Sequence, residues 1–180
     1  MRHSRTVDGQ LYTFVYYGSG VVMHRGLNGG VRTHYRRVQG GRLLIGFALG
    51  GYLFNVRGDV VQRVKSDGRI LHAYRYCAFG VELNPSAAIN RNPFRFAGMY
   101  WDAHRGEYVT PNRMLNPRTG RWTQPDPFWG IHNMTSSTLA ILQAANLYVF
   151  VMNNPIMFHD PSGLYAVMLR YIAGRDKANF

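Results

Sequence analysis

The chain has 180 residues, 46% of them hydrophobic and 14% aromatic, with 21 lysines and arginines against 9 acidic residues for a formal charge of +12. That is enough apolar material for one domain with a sizeable core, and it excludes a disordered chain. A single cysteine, Cys77, rules out an internal disulfide framework and a cysteine-rich zinc site, and the seven histidines never fall at metal-ligand spacing, so no metal site and no cofactor are expected.

The N-terminus, Met1-Arg2-His3-Ser4-Arg5, lacks the charged, apolar and small-residue succession of a signal peptide before Asp8-Gly9. Segments rich in Tyr, Val, Phe and Arg follow at Gln10 to Tyr17, Gly20 to His24 and Val31 to Val38, punctuated by Gly, Asn and Asp, and predict β-hairpins. Within them Arg32, Arg36, Arg37 and Arg42 beside Tyr35 form a basic, ring-bearing patch. Such a patch suits either a solvated strand face or the phosphates and bases of a nucleic acid, and the second option is an alternative reading of the whole chain. The longest apolar runs, Leu43 to Phe54 and Leu139 to Val151, are shorter than the roughly 20 residues of a transmembrane helix, so no membrane span is expected.

The clearest hairpin lies between Asp59 and Phe79. Val60, Val61 and Val64 make one strand, Ser66-Asp67-Gly68 a turn with a left-handed position, and Ile70 to Tyr76 the returning strand. Asp8-Gly9 leading into Leu11 to Phe14 repeats that pattern more weakly, as expected of a few units of a repeat. Arg57-Gly58-Asp59 spells an adhesion-type tripeptide, but it also suits an ordinary Gly-Asp turn. From Asn90 onward Pro and Gly recur so often that loops and short strands should dominate, with one short helix over Thr135 to Ala145 capped by Ser136 or Ser137.

Several motifs stand in a fixed order. Gly58-Asp59-Val60-Val61 precedes Asp67-Gly68-Arg69-Ile70 and Tyr74-Arg75-Tyr76-Cys77-Ala78-Phe79-Gly80. Then come Asn92-Pro93-Phe94-Arg95-Phe96-Ala97-Gly98 with Tyr100 and Asp102, Gly106-Glu107-Tyr108, Asn116-Pro117-Arg118-Thr119-Gly120-Arg121-Trp122 and Asp126-Pro127. Asn146-Leu147-Tyr148, Asn153-Asn154-Pro155 and Asp160-Pro161-Ser162-Gly163-Leu164 complete the series. Singly these are turn chemistry; in this order they resemble the C-terminal end of the core of Rhs (rearrangement hot spot) proteins, whose Tyr-Asp repeats spiral into a hollow shell around a toxin. Cys77 replaces the family's usual aspartate, and Tyr108 to Leu115 replaces an aromatic-rich strand, which implies altered pairing there.

The resemblance implies a mainly β fold: short antiparallel hairpins of a YD-repeat β-spiral shell, then an irregular loop-rich segment with one short helix. Residues 1–51 would be a degenerate N-terminal β-repeat region, 52–164 the Rhs repeat-associated core, and 165–180 a short tail in place of the toxin. The whole reads as a truncated core fragment. Its implied partners are the remaining shell or secretion-system components and the former C-terminal toxin, and its implied location is secreted or cell-surface.

The resemblance also implies chemistry. Rhs cores often cut their own chain after the Asp-Pro-x-Gly-Leu motif with an aspartyl-type autoprotease, which here is the Leu164-Tyr165 bond after Pro161, Ser162 and Gly163. The matching aspartates are Asp126 and Asp160. Two carboxylates in one apolar pocket cannot both ionise, so one acts as acid while the other activates water. Trp122, Phe128, Trp129 and Phe158 would wall the pocket, and Arg121 would orient a carboxylate or stabilise the oxyanion. On turn chemistry alone, both aspartates are simply caps of proline turns. A shell-closing plug without catalysis is the third reading.

Overall fold

A computed structural model of the chain describes residues 4–7, 10–17, 20–25, 31–37, 43–46, 50–85, 92–127 and 146–169. The expected helix over Thr135 to Ala145 therefore lies outside the described residues, as do Phe128 and Trp129. Among the described residues the fold is mainly β.

The first half is a meander. Strands β1 (Ser4–Val7), β2 (Gln10–Tyr17), β3 (Gly20–Arg25), β4 (Val31–Arg37), β5 (Leu43–Gly46), β6 (Gly50–Phe54), β7 (Val60–Val64) and β8 (Ile70–Ala73) form one eight-stranded antiparallel sheet in chain order. Each strand pairs with its sequence neighbour, which is the pattern short hairpin loops produce. Register shifts interrupt the ladder at Val15/Tyr16, His24/Arg25, Arg36/Arg37, Leu53/Phe54 and Arg63/Val64. Such bulges bend strands and increase their twist, so this sheet is built to curve.

The β7–β8 turn shows the local chemistry. Gly68 takes φ +83°, and the carboxylate of Asp67 accepts the Arg69 N–H at 2.9 Å. The return strand ends at Ala73, earlier than the expected Tyr76, although the N–H of the buried Tyr74 still donates to the Val61 carbonyl at 2.8 Å. Beyond it Cys77 stands in for the family's aspartate as an acceptor, with the Val81 N–H directed at its Sγ at 3.2 Å.

The second half is assembled from short pieces. Strands β9 (Tyr100–Asp102), β10 (Glu107–Val109), β11 (Met114–Asn116) and β12 (Arg121–Trp122) make a four-stranded sheet, and β13 (Phe158–His159) pairs with β14 (Val167–Met168). The altered pairing expected over Tyr108 to Leu115 does not occur. Tyr108 faces Leu115 and Val109 faces Met114 across a regular antiparallel pair, held by burial of both Tyr108 and Leu115.

Two aromatic clusters hold the halves in place. Tyr52, Val60, Tyr74, Phe94 and Tyr100 form one; Phe96, Met99, Tyr108, Leu115, Trp122, Phe150, Val151 and Phe158 form the other. Tyr76 packs against both, and its hydroxyl donates to the Val60 carbonyl at 3.0 Å. The Tyr108 hydroxyl likewise donates to the Gly80 carbonyl at 2.8 Å, so these rings are buried with their polar ends satisfied.

Candidate functional site

The Asp-Pro-x-Gly-Leu segment leaves β13 and folds back over its own aspartate. Oδ1 of Asp160 accepts the N–H of Ser162 at 3.1 Å, of Gly163 at 2.7 Å and of Leu164 at 3.2 Å, together with the Ser162 hydroxyl at 3.1 Å. One oxygen thus does all the work of a turn cap and leaves Oδ2 for another partner.

The loop seats on the turn between β10 and β11. There the Thr110 hydroxyl donates to the Arg113 carbonyl at 2.7 Å and accepts the Arg113 N–H at 3.1 Å. Asn112 Nδ2 donates to the Ser162 carbonyl at 2.9 Å. Gly163 has φ +73°, and a Cβ there would run into the Thr110 hydroxyl, so only glycine allows this approach.

That turn sends Arg113 inward, where it is 2% exposed. Its Nε donates to the Gly163 carbonyl at 2.7 Å, and its guanidinium lies 4.5 Å over the Trp122 ring. Nη2 reaches Oδ2 of Asp160 at 3.4 Å. Nη1 lies 2.9 Å from Oδ2 of Asp126, an ion pair in which the N–H bonds of Nη1 are poorly aligned with the oxygen. Asp126, also buried, is held by its own N–H, which donates to the Leu147 carbonyl at 2.9 Å. Two aspartates 34 positions apart thus converge on one buried guanidinium.

The electrostatics follow from that count of charges. The Arg113 guanidinium faces both carboxylates, and burial raises the cost of ionising a carboxyl in this site. Burial raises the Asp160 pKa, against the opposing pull of the Gly163 N–H, the Arg113 charge and the Ser162 and Leu164 donors. Burial also lowers the Arg113 pKa, which its two anionic neighbours oppose. An arginine starts so high that it keeps its charge.

Arg121, expected to serve a carboxylate, is placed elsewhere. Successive residues of a strand face opposite sides; on β12 Trp122 takes the buried side and Arg121 the exposed one. The guanidinium at the carboxylates is that of Arg113, which the sequence reading missed. Arg113 sits in the segment that departs from the family pattern, and in an arginine-rich chain nothing but burial distinguishes it. Trp122 and Phe158 belong to the second aromatic cluster.

The Leu164-Tyr165 bond lies at the end of this loop. The Leu164 N–H is shared between Oδ1 of Asp160 and Oγ of Ser162, both at 3.2 Å, while Tyr165 is exposed.

The other candidates are less favourably placed. Asp59 is 1% exposed and accepts Nη2 of Arg57 at 2.6 Å, Asn55 Nδ2 at 2.7 Å and the Ala97 N–H at 2.7 Å. The Arg57-Gly58-Asp59 tripeptide therefore binds itself and presents no free carboxylate for adhesion. Arg32, Arg36 and Arg37 lie on β4 with side chains outside the described residues, and Arg42 lies outside them altogether. Among the described residues, no helix is long and apolar enough to cross a membrane.

No protein-family model matches the chain. The chain is 29% identical over 169 residues to the tRNA3(Ser)-specific nuclease WapA of Bacillus spizizenii, a match covering 90% of this chain and 7% of that protein. It is 30% identical over 80 residues to the toxin protein Tse5 of Pseudomonas aeruginosa, covering 44% of this chain and 5% of that one. Among solved structures, the Tc holotoxin pore of Photorhabdus luminescens superposes with a TM-score of 0.58 at 19% identity, over 94% of this chain and 8% of that one. The chain thus spans less than a tenth of each of these proteins.

Proposed function

We propose that the chain is a piece of an Rhs repeat-associated core, in which residues 52–164 are a shell-closing segment that cuts its own Leu164-Tyr165 bond with Asp126 and Asp160. The observation that carries this reading is the sharing of one buried guanidinium by both aspartates, with the same guanidinium gripping the Gly163 carbonyl one residue before the bond's acyl side.

The reaction is hydrolysis. Ionised Asp126 takes a proton from a water molecule as its oxygen adds to the Leu164 carbonyl carbon. Protonated Asp160 gives its proton to the Tyr165 nitrogen as the C–N bond breaks. A new carboxyl at Leu164 and a new amine at Tyr165 result, and the proton taken up by Asp126 passes to Asp160, which restores the starting state of both carboxyls. Arg113 touches both carboxyls and the backbone beside the bond, so it aligns acid, base and substrate without itself exchanging a proton.

The burial that raises the Asp160 pKa favours its protonated form, the form an acid needs. In the same reading the curved meander is part of a shell wall completed by further repeats, the chain is exported, and the segment after Leu164 is the one released.

Intact mass of the purified full chain tests the proposal. The wild type should resolve into fragments 1–164 and 165–180, and Asp126→Asn and Asp160→Asn should each stay whole while keeping the wild-type near-ultraviolet signal. A wild-type chain that stays whole from mildly acidic to neutral pH, or a folded Asp160→Asn variant cut at the wild-type rate, would refute it.

A further inference from the structure

We propose that Tyr165 to Leu169 form a substrate strand recognised through its backbone, with β13 as the template that holds the bond against the site. The inference rests on the self-cutting reading and names what that reaction accepts on the far side of its bond.

The chain does not leave the site after Leu164. It returns as β14, antiparallel to β13, with Val167 opposite His159 and Met168 opposite Phe158. The Leu169 N–H extends the ladder by donating to the Met157 carbonyl at 2.7 Å. The residue directly after β13 is Asp160. The strand that grips the post-bond residues is therefore continuous with the carboxylate, and its register fixes how many residues can lie between Asp160 and the bond.

The pairing selects for shape and not for sequence. The side chains of Val167 and Met168 are both exposed, so neither fills a pocket. Of these residues Ala166 packs against the second aromatic cluster. Bonded and non-bonded pairs alternate along an antiparallel ladder, so Leu169 and Val167 point their N–H groups at β13 while Met168 points its N–H away. The substrate class is thus an extended segment with free N–H groups at 167 and 169.

Proline scanning separates these positions, because proline deletes an N–H donor. In the full chain Val167→Pro and Leu169→Pro should slow cutting about five- to tenfold, the weight of one backbone bond, whereas Met168→Pro and Met168→Lys should cut near the wild-type rate. A second readout is independent of cutting. In uncut Asp126→Asn, hydrogen exchange should protect the Val167 and Leu169 amides and leave that of Met168 fast.

Wild-type cutting that is indifferent to Val167→Pro and Leu169→Pro overturns the strand proposal and leaves the aspartate reading intact. Equal exchange at all three amides overturns it as well. A wild type that never cuts overturns both.

Discussion

The meander and the closing segment solve the same packing problem in opposite ways. In β1 to β8 every strand pairs with the next one along the chain, and the described β7–β8 turn is closed within a few positions, where Asp67 accepts the Arg69 N–H. In the closing segment the decisive contacts are long-range: Arg113 to Asp160 and Gly163, Asn112 to Ser162, Arg57 to the Pro155 carbonyl. A locally paired wall tolerates the loss of any one turn. A segment whose strands run two or three residues depends on a few buried polar contacts, and the removal of one partner takes a buried bond or ion pair from each of the others.

The largest break in that comparison should come from Arg113→Met. It keeps the bulk over Trp122 but leaves Asp126, Asp160 and the Gly163 carbonyl without their shared donor. Breaking a buried ion pair in this one-sided way costs about 3–5 kcal/mol. Denaturant unfolding followed by tryptophan fluorescence should show that loss in the closing segment, which contains Trp101 and Trp122, while far-ultraviolet strand signal from the meander persists.

A smaller, pH-dependent effect belongs to Asp160. Its folded pKa lies above the ordinary 3.8 because burial outweighs its donors and the Arg113 charge. The folded state therefore prefers the protonated side chain. Its contribution to stability is greatest at low pH and is lost as the pH rises from 3.8 through the raised folded value. Asp160→Asn cannot titrate, so the wild type should lose melting temperature relative to the variant as the pH is raised across that window. A gap between the two that does not change with pH would show that burial does not govern this carboxyl.

The smallest effect should come from the meander. Asp67→Ala removes the bond to the Arg69 N–H in an exposed turn where water can replace it, at a cost of about 0.5–1 kcal/mol. Asp67 and Asp160 both cap a following N–H, so the ratio of their effects measures what long-range burial adds to the same local motif.

Much of the wall is legible in the sequence, because its causes are local. Gln10 to Tyr17 and Val31 to Val38 are rich in Tyr, Val, Phe and Arg and are bounded by turn residues, and Ser66-Asp67-Gly68 names its own turn. The apolar run Leu43 to Phe54, which its length excluded only as a membrane helix, holds β5 and β6. The pairing of Tyr108 to Val109 with Met114 to Leu115 was not legible, since Thr-Pro-Asn-Arg between them reads as a loss of pattern until its role as a tight turn is seen.

The candidate site divides in the same way. The ordered motifs pick out Asp126 and Asp160, because each opens a proline turn of recognisable form. They cannot pick out Arg113 over Arg121. Both are arginines beside short strands, and the choice depends on which side of its element each presents to the aromatic cluster.

By itself, then, the sequence determined the β class, the hairpins and the turn aspartates, all consequences of φ/ψ preference and alternation acting over a few residues. Only the tertiary structure decided that Arg113 joins those aspartates and that the chain after Leu164 returns as a strand. Both depend on free energy gained between segments distant along the chain, where burial removes water and makes one guanidinium the nearest counter-charge for two carboxylates.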